Sequence, residues 1–241
     1  MCGPSSRRSS RTPGGCCGPT PRRAPTERFA DIAGFEGEND PDGAGPDSNP
    51  NAVVASRKGA AVVDAGGNSL LSVTRSGDVA LIATFPTREE PAPDIPGGPP
   101  AGTPIPSQSV PTSVAVAKGG AFLVGELRGF PFPVGGADLY RVAGGEPTVV
   151  AEGFTNVIDV EVGPHGTWYV LELASDGLLA AGESGLPMGR LLRVTPDGGD
   201  PVVVADDLPA PGGVAIRKGR AYVTVNSVLP GEGQVLAVPL T

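Results

Sequence analysis

An all-β architecture of repeated four-stranded units, a β-propeller, is the fold this sequence predicts, and three observations carry the prediction. Short Val-rich runs are separated at regular intervals by turn residues, Gly and Pro numbering 37 and 28 among 241 residues, which is the punctuation of many short strands. Apolar residues reach 39% while aromatics are only 5%, so the core must be built from Val, Ala and Leu, and a helical bundle is ruled out. Finally, one order of strand, turn, strand, loop and strand recurs four times, as propellers and other repeat architectures require. A β-sandwich would also show short strands but not the same order repeated.

The elements follow in chain order. First strands fall at 51–55, 112–116, 158–162 and 212–216, each ending in a tight turn whose last glycine is Gly59, Gly120, Gly166 or Gly219. Those glycines lie 61, 46 and 53 residues apart, which fits blades of ~40–50 residues plus insertions. Second strands are the buried-looking runs 61–64, 122–126, 168–172 and 221–225. Third strands at 70–73, 139–142, 191–194 and 235–238 alternate in character, one face packed and one wet. Polar turns lead to fourth strands at 79–83, 148–151 and 202–205, and the last unit has none. The units are therefore near 49–85, 110–151, 154–205 and 208–241. Residues 86–109, with eight prolines, read as a long surface connection.

Charge and cysteine divide the chain into a head, 1–27, and a body, 28–241. The first 28 residues hold six arginines against Glu27 alone, although the whole chain carries −8. The body is distinctly acidic, which excludes nucleic-acid binding by it, since a phosphate backbone demands a basic face. Cys2, Cys16 and Cys17 all lie in the head without C-x-x-C spacing, so neither a disulfide framework nor a zinc site follows. The head, rich in Ser, Arg, Pro and Gly, reads as disordered, and it lacks the apolar stretch of ~7–15 residues that a signal peptide needs. No run approaches the ~18 apolar residues of a membrane-spanning helix.

The segment Val62-Val63-Asp64-Ala65-Gly66-Gly67-Asn68-Ser69-Leu70-Leu71 resembles an NHL-type blade. More specific segments are Asn39-Asp40-Pro41-Asp42-Gly43, Asp47-Ser48-Asn49-Pro50, Gly102-Thr103-Pro104-Ile105-Pro106, Gly129-Phe130-Pro131-Phe132-Pro133 and Gly153-Phe154-Thr155-Asn156-Val157-Ile158-Asp159. Together they are similar to the ScyD/ScyE family of secreted propellers, from about Phe29 to Thr241. The resemblance implies a six-bladed propeller with a signal peptide, an extracellular or periplasmic location and no established activity. Against that pattern the front of the chain departs, Phe29-Ala30-Asp31-Ile32 reads as the last strand of a missing blade, and the chain is expected to be a fragment.

Candidate site residues come from comparing the repeats. Asp159 stands where other first strands carry Ser113 or Gly213, and first strands line a propeller's channel. Glu126 and Glu172 end neighbouring second strands, and Asn156 and Asn226 are placed to join them at the channel mouth. Such oxygens are the donors that Ca²⁺ takes, as in lactonase-like propellers; capping by backbone N–H groups is the structural alternative. The sharpest metal candidate by spacing is the loop 38–49, whose oxygens alternate like the opening of a calcium loop around a glycine turn. It is not an EF-hand, because Asn49 holds the twelfth position, and an acidic surface loop with Asx turns is the structural alternative. Phe130 and Phe132, held between prolines, are a candidate stacking surface for an aromatic ligand, with anchoring of their loop over the blade as the structural alternative. Trp168 and Tyr169 read as core between blades. His165, the one histidine, sits in a turn, and no G-x-S-x-G elbow or nucleotide loop is present.

These readings favour a non-catalytic secreted binding or scaffold module, with a small molecule or protein at the channel mouth. The alternatives are a Ca²⁺-dependent lactonase-like hydrolase, in which the ion would act as a Lewis acid, and a truncated product without function.

Overall fold

The computed structural model describes residues 26–56, 58–180, 185–196 and 198–240; nearly all of the basic head lies outside them. The described chain forms four sheets that stand as propeller blades around a common axis. Blade 1 is β1 (Pro50–Ser56), β2 (Gly59–Asp64), β3 (Ser69–Thr74) and β4 (Val79–Thr84), hydrogen-bonded in that order. A hairpin of β5 (Arg88–Pro91) and β6 (Pro104–Ser107) follows. Blade 2 is β7 (Pro111–Val116), β8 (Phe122–Glu126), β9 (Ala137–Ala143) and β10 (Glu146–Phe154). Blade 3 is β11 (Val157–Val162), β12 (Trp168–Glu172), β13 (Met188–Val194) and β14 (Val202–Pro209). Blade 4 has three strands, β15 (Gly213–Arg217), β16 (Arg220–Val225) and β17 (Gln234–Pro239). Every strand pair is antiparallel, and no helix among the described residues is long and apolar enough to cross a membrane.

Strand periodicity explains the packing, because successive side chains on a strand face opposite neighbours. On β8, Val124 packs with Ala61, Val63, Leu70 and Phe85 of blade 1, whereas Leu123 packs with Val160, Trp168 and Val170 of blade 3. On β12, Trp168 joins the cluster shared with blade 2, and Tyr169 joins Leu191, Ala221, Val223 and Val225 in the cluster shared with blade 4. The middle blades are therefore apolar on both faces. The far faces of the end blades carry exposed apolar side chains, among them Val53 at 68% and Val235 at 64% exposure.

Polar bonds stitch the inner strands together. Asn51 Nδ2 donates to the Thr112 carbonyl at 2.8 Å, Thr112 Oγ1 donates to the Val157 carbonyl at 2.7 Å, and the Val214 N–H donates to Asp159 Oδ2 at 2.8 Å. Each bond crosses one blade boundary. Packing of inner strands runs from β1 to β7, β11 and β15, and β15 makes no comparable packing on β1.

Two expectations need correcting. Residues 29–32 are not a strand: helix α1 (Ile32–Asn39) begins there, capped by Asp31, whose Oδ1 accepts from the Gly34 N–H at 3.0 Å. An Asx cap of this kind satisfies an otherwise orphaned helical N–H. Consequently the segment does not pair with β17, whose one strand neighbour among the described residues is β16. The connection 86–109 is also more ordered than its prolines imply, since Pro91, Pro104 and Pro106 fall on a two-stranded hairpin, where edge positions need no N–H donor.

The fully buried Leu139 sits between blades 2 and 3. Its replacement by alanine is expected to cost about 2–5 kcal/mol in a urea melt, against less than about 1 kcal/mol for Val53→Ala at an exposed position.

Candidate functional site

Three blades share a device at the end of the second strand. Asp64, Glu126 and Glu172 are each 0% exposed, and each accepts from the segment leading into its own blade's first strand. The Asn49 N–H lies 2.5 Å and Ser48 Oγ 2.7 Å from the Asp64 carboxylate, Ser109 Oγ lies 2.5 Å from Glu126 Oε2, and the Thr155 N–H lies 2.8 Å from Glu172 Oε1. A carboxylate is suited to this corner because it accepts several bonds at once.

Glu126 is the most elaborated of the three. Arg88, arriving on β5, pairs with Glu126 Oε1 and, at 2.8 Å, with Asp138 on β9. The Asp138 N–H donates to Oε1 at 3.0 Å and the Tyr140 hydroxyl to Oε2 at 3.4 Å. The fully buried Arg128 approaches Glu126 Oε2 at 3.8 Å and Glu90 Oε1 at 3.5 Å. Burial pushes the Glu126 carboxyl up to about 7 despite the opposing pull of Ser109, Arg88 and Arg128. Burial likewise raises Glu172, which Arg190 Nε holds at 2.5 Å, and lowers Arg128.

Asp159 does face the inner strands, but its Oδ1 accepts from the Val160 N–H at 2.9 Å and its Oδ2 from the Val214 N–H. Burial raises it to about 6 against those two bonds. Asn156 is buried with positive φ, its Oδ1 accepting from the Leu178 N–H at 3.0 Å and its Nδ2 donating to the Leu127 carbonyl at 3.1 Å. Asn226 Nδ2 donates to the Glu232 carbonyl at 3.2 Å. Asp159, Glu126 and Glu172 do not form a group that shares one ion. Among the described residues the carboxylates close enough to do so are Glu36, Asp40 and Asp42, beside blade 1.

Phe130 and Phe132 meet edge to face, ring centres 6.0 Å apart, with Phe130 38% exposed. They do not line the cleft of about 820 Å³ between the outer parts of blades 1 and 2. That cleft is walled by Thr84, Thr87, Arg88, Asp138, Glu146 and Glu152, with Pro41, Pro86 and Pro147 between them. Sequence comparison singled out Glu126 but not Arg88 or Arg128, because Arg88 comes from the β5–β6 hairpin and Arg128 from the loop after β8, neither of which has a counterpart in the other units. The recurring acid at the end of the second strand was the readable signal.

No protein-family model matches the sequence, and no curated protein matches it. Solved structures match in fold. One is a gluconolactonase from Xanthomonas campestris, 16% identical with a TM-score of 0.52, the match covering 76% of this chain and 54% of that one. Another is a candidate gluconolactonase, 17% identical with a TM-score of 0.49, the match covering 79% and 63%. The chain thus spans less than two thirds of either protein's length. At such identity the likeness to gluconolactonase-type propellers is one of fold.

The raised carboxyls set a pH dependence. Asp159 moves from 3.8 to about 6 and Glu126 from 4.5 to about 7 on folding, so between about pH 4 and 7 the folded state binds more protons than the unfolded chain, and stability falls as pH rises through that window. Urea midpoints are expected to be higher at pH 5 than at pH 8, with a shallower profile for Asp159→Asn. A midpoint that climbs from pH 5 to 8 would contradict this assignment.

Proposed function

We propose that this chain is a non-catalytic binding propeller of the ScyD/ScyE type, with the extracellular or periplasmic location that the resemblance implies. One observation carries the reading: of the side chains that a lactonase-like site would offer to an ion, the three carboxylates and Asn156 are engaged within the protein, and of Asn226 the amide nitrogen is. Glu126 and Glu172 face arginines, both Asp159 oxygens accept backbone N–H groups, and Asn156 Oδ1 accepts another. Turning these groups toward one shared cation would strain those bonds, at a cost of about 1–3 kcal/mol for each buried donor left unpaired, and the three carboxylates do not converge on one point. The donor set does not fit a channel ion, and no catalytic step is drawn through one.

For the ligand, the cleft beside Arg88 is the best candidate. Its volume is that of a small-molecule site. Carboxylates, threonine hydroxyls and a guanidinium 37% exposed supply hydrogen bonds in several directions, while the prolines offer flat apolar faces. That combination suits a hydroxyl-rich small molecule with a C–H face, such as a saccharide or polyol.

Purified protein is expected to hydrolyse γ- and δ-lactones no faster than buffer, with or without Ca²⁺. In a calorimetric screen of saccharides and polyols, binding is expected to weaken at least tenfold in Thr87→Trp, which fills the cleft. Calcium-dependent lactone turnover that disappears in Asp159→Asn would overturn the reading in favour of a hydrolase.

A further inference from the structure

Glu36 packs from α1 onto Gly67 in the β2–β3 turn of blade 1. It is the buried residue of α1, 0% exposed, and among the described residues neither of its carboxylate oxygens has a hydrogen-bond partner. Its floor is Gly67, where a Cβ would stand 2.5 Å from Oε2, so a side chain there would occupy the space the carboxylate uses. Around it lie Asp40, Asp42, Asp47 and Asp64. After burial itself, these four carboxylates are what hold the Glu36 carboxyl above its ordinary range. A buried carboxylate is tolerated when paired, hydrogen-bonded or bound to a metal, and the first two are missing here.

The surroundings are arranged rather than loose. Asp40 ends α1 in the left-handed conformation, its N–H donating to the Glu36 carbonyl at 2.8 Å and its Oδ1 accepting from the Gly45 N–H at 3.1 Å. Asp42 accepts from the Ala44 N–H at 2.9 Å and from Asn68 Nδ2 at 2.7 Å, and Asn68 Oδ1 in turn accepts from the Val110 N–H at 2.9 Å. One oxygen each from Glu36, Asp40 and Asp42 lies within 4.8 Å of the other two. Ligands of one Ca²⁺, each ~2.3–2.6 Å from it, are separated by at most about twice that distance, so the three oxygens can share an ion.

We propose that Glu36, Asp40 and Asp42 form a divalent cation site of the calcium class, distinct from the channel. Hard oxygen donors without His or Cys suit Ca²⁺ rather than Zn²⁺. The ion answers the unpartnered Glu36 and clamps α1 and the acidic loop against the β2–β3 turn of blade 1.

The test uses the full chain, freed of metal by a chelator and titrated with CaCl₂ in a calorimeter and in thermal melts. One-site binding with a rise in melting temperature is expected. Glu36→Gln, an isosteric neutral change, and Asp40→Asn, at a partly exposed position, should each weaken binding at least tenfold. In chelator, Glu36→Gln should melt no lower than the parent, because it removes an uncompensated charge; Asp159→Asn should bind Ca²⁺ as the parent does. No calcium response in the parent, or equal affinity in the parent, Glu36→Gln and Asp40→Asn, would overturn the site. Loss of binding in Asp159→Asn alone would move it to the channel.

Discussion

The buried carboxylate that closes the inner corner of a blade is the interaction on which the rest of this molecule depends. Asp64, Glu126 and Glu172 each tie the end of a second strand to the backbone or hydroxyls that lead into the first strand. Burying such a charge costs several kcal/mol unless it is well paired, so each corner has recruited its own donors. The neighbouring backbone bond recurs in every blade, from Ala65 to Asn49, Leu127 to Val110, Leu173 to Asn156 and Asn226 to Pro209. In blade 4 the second strand ends in Val225, and the corner rests on that backbone bond.

Between blades the constraint is different. With so few aromatics, contact is made by small branched side chains, and β12 uses its two largest residues on opposite faces, Trp168 toward blade 2 and Tyr169 toward blade 4. Close approach of the inner strands makes room for direct polar bonds from one blade to the next. Asp159 differs from the others in offering a carboxylate, which takes the Val214 N–H of blade 4 on one oxygen and the Val160 N–H of its own strand on the other. Its departure from Ser113 and Gly213 is thus a matter of how blade 3 holds blade 4.

The segment before blade 1 links the two regions that reach outward. Asp42 lines the cleft beside Arg88 and bonds to Asn68, which in turn holds the Val110 backbone in a left-handed conformation rare for a branched residue. Loop, blade 1 and the approach to blade 2 are therefore one hydrogen-bonded unit.

What the sequence by itself determined was whatever recurs. Alternating apolar runs and turn glycines repeat four times, and a period-two pattern that buries one face specifies strand and register with little ambiguity; hence the strands of all four units, the three-stranded last blade and the core roles of Trp168 and Tyr169 were legible. What only the tertiary structure decided was whatever occurs once. Helix α1 depends on a local cap at Asp31 that competes with an extended reading of 29–32. The partners of Glu126 arrive from Arg88 and Arg128, which are 38 and 2 residues away in the chain and have no equivalents in other units. Whether an acid is free to bind an ion or is already satisfied depends on donors that approach through space, and repeat comparison carries no information about them. For that reason it could name Asp159, Glu126 and Glu172 as special without distinguishing a ligand from a brace.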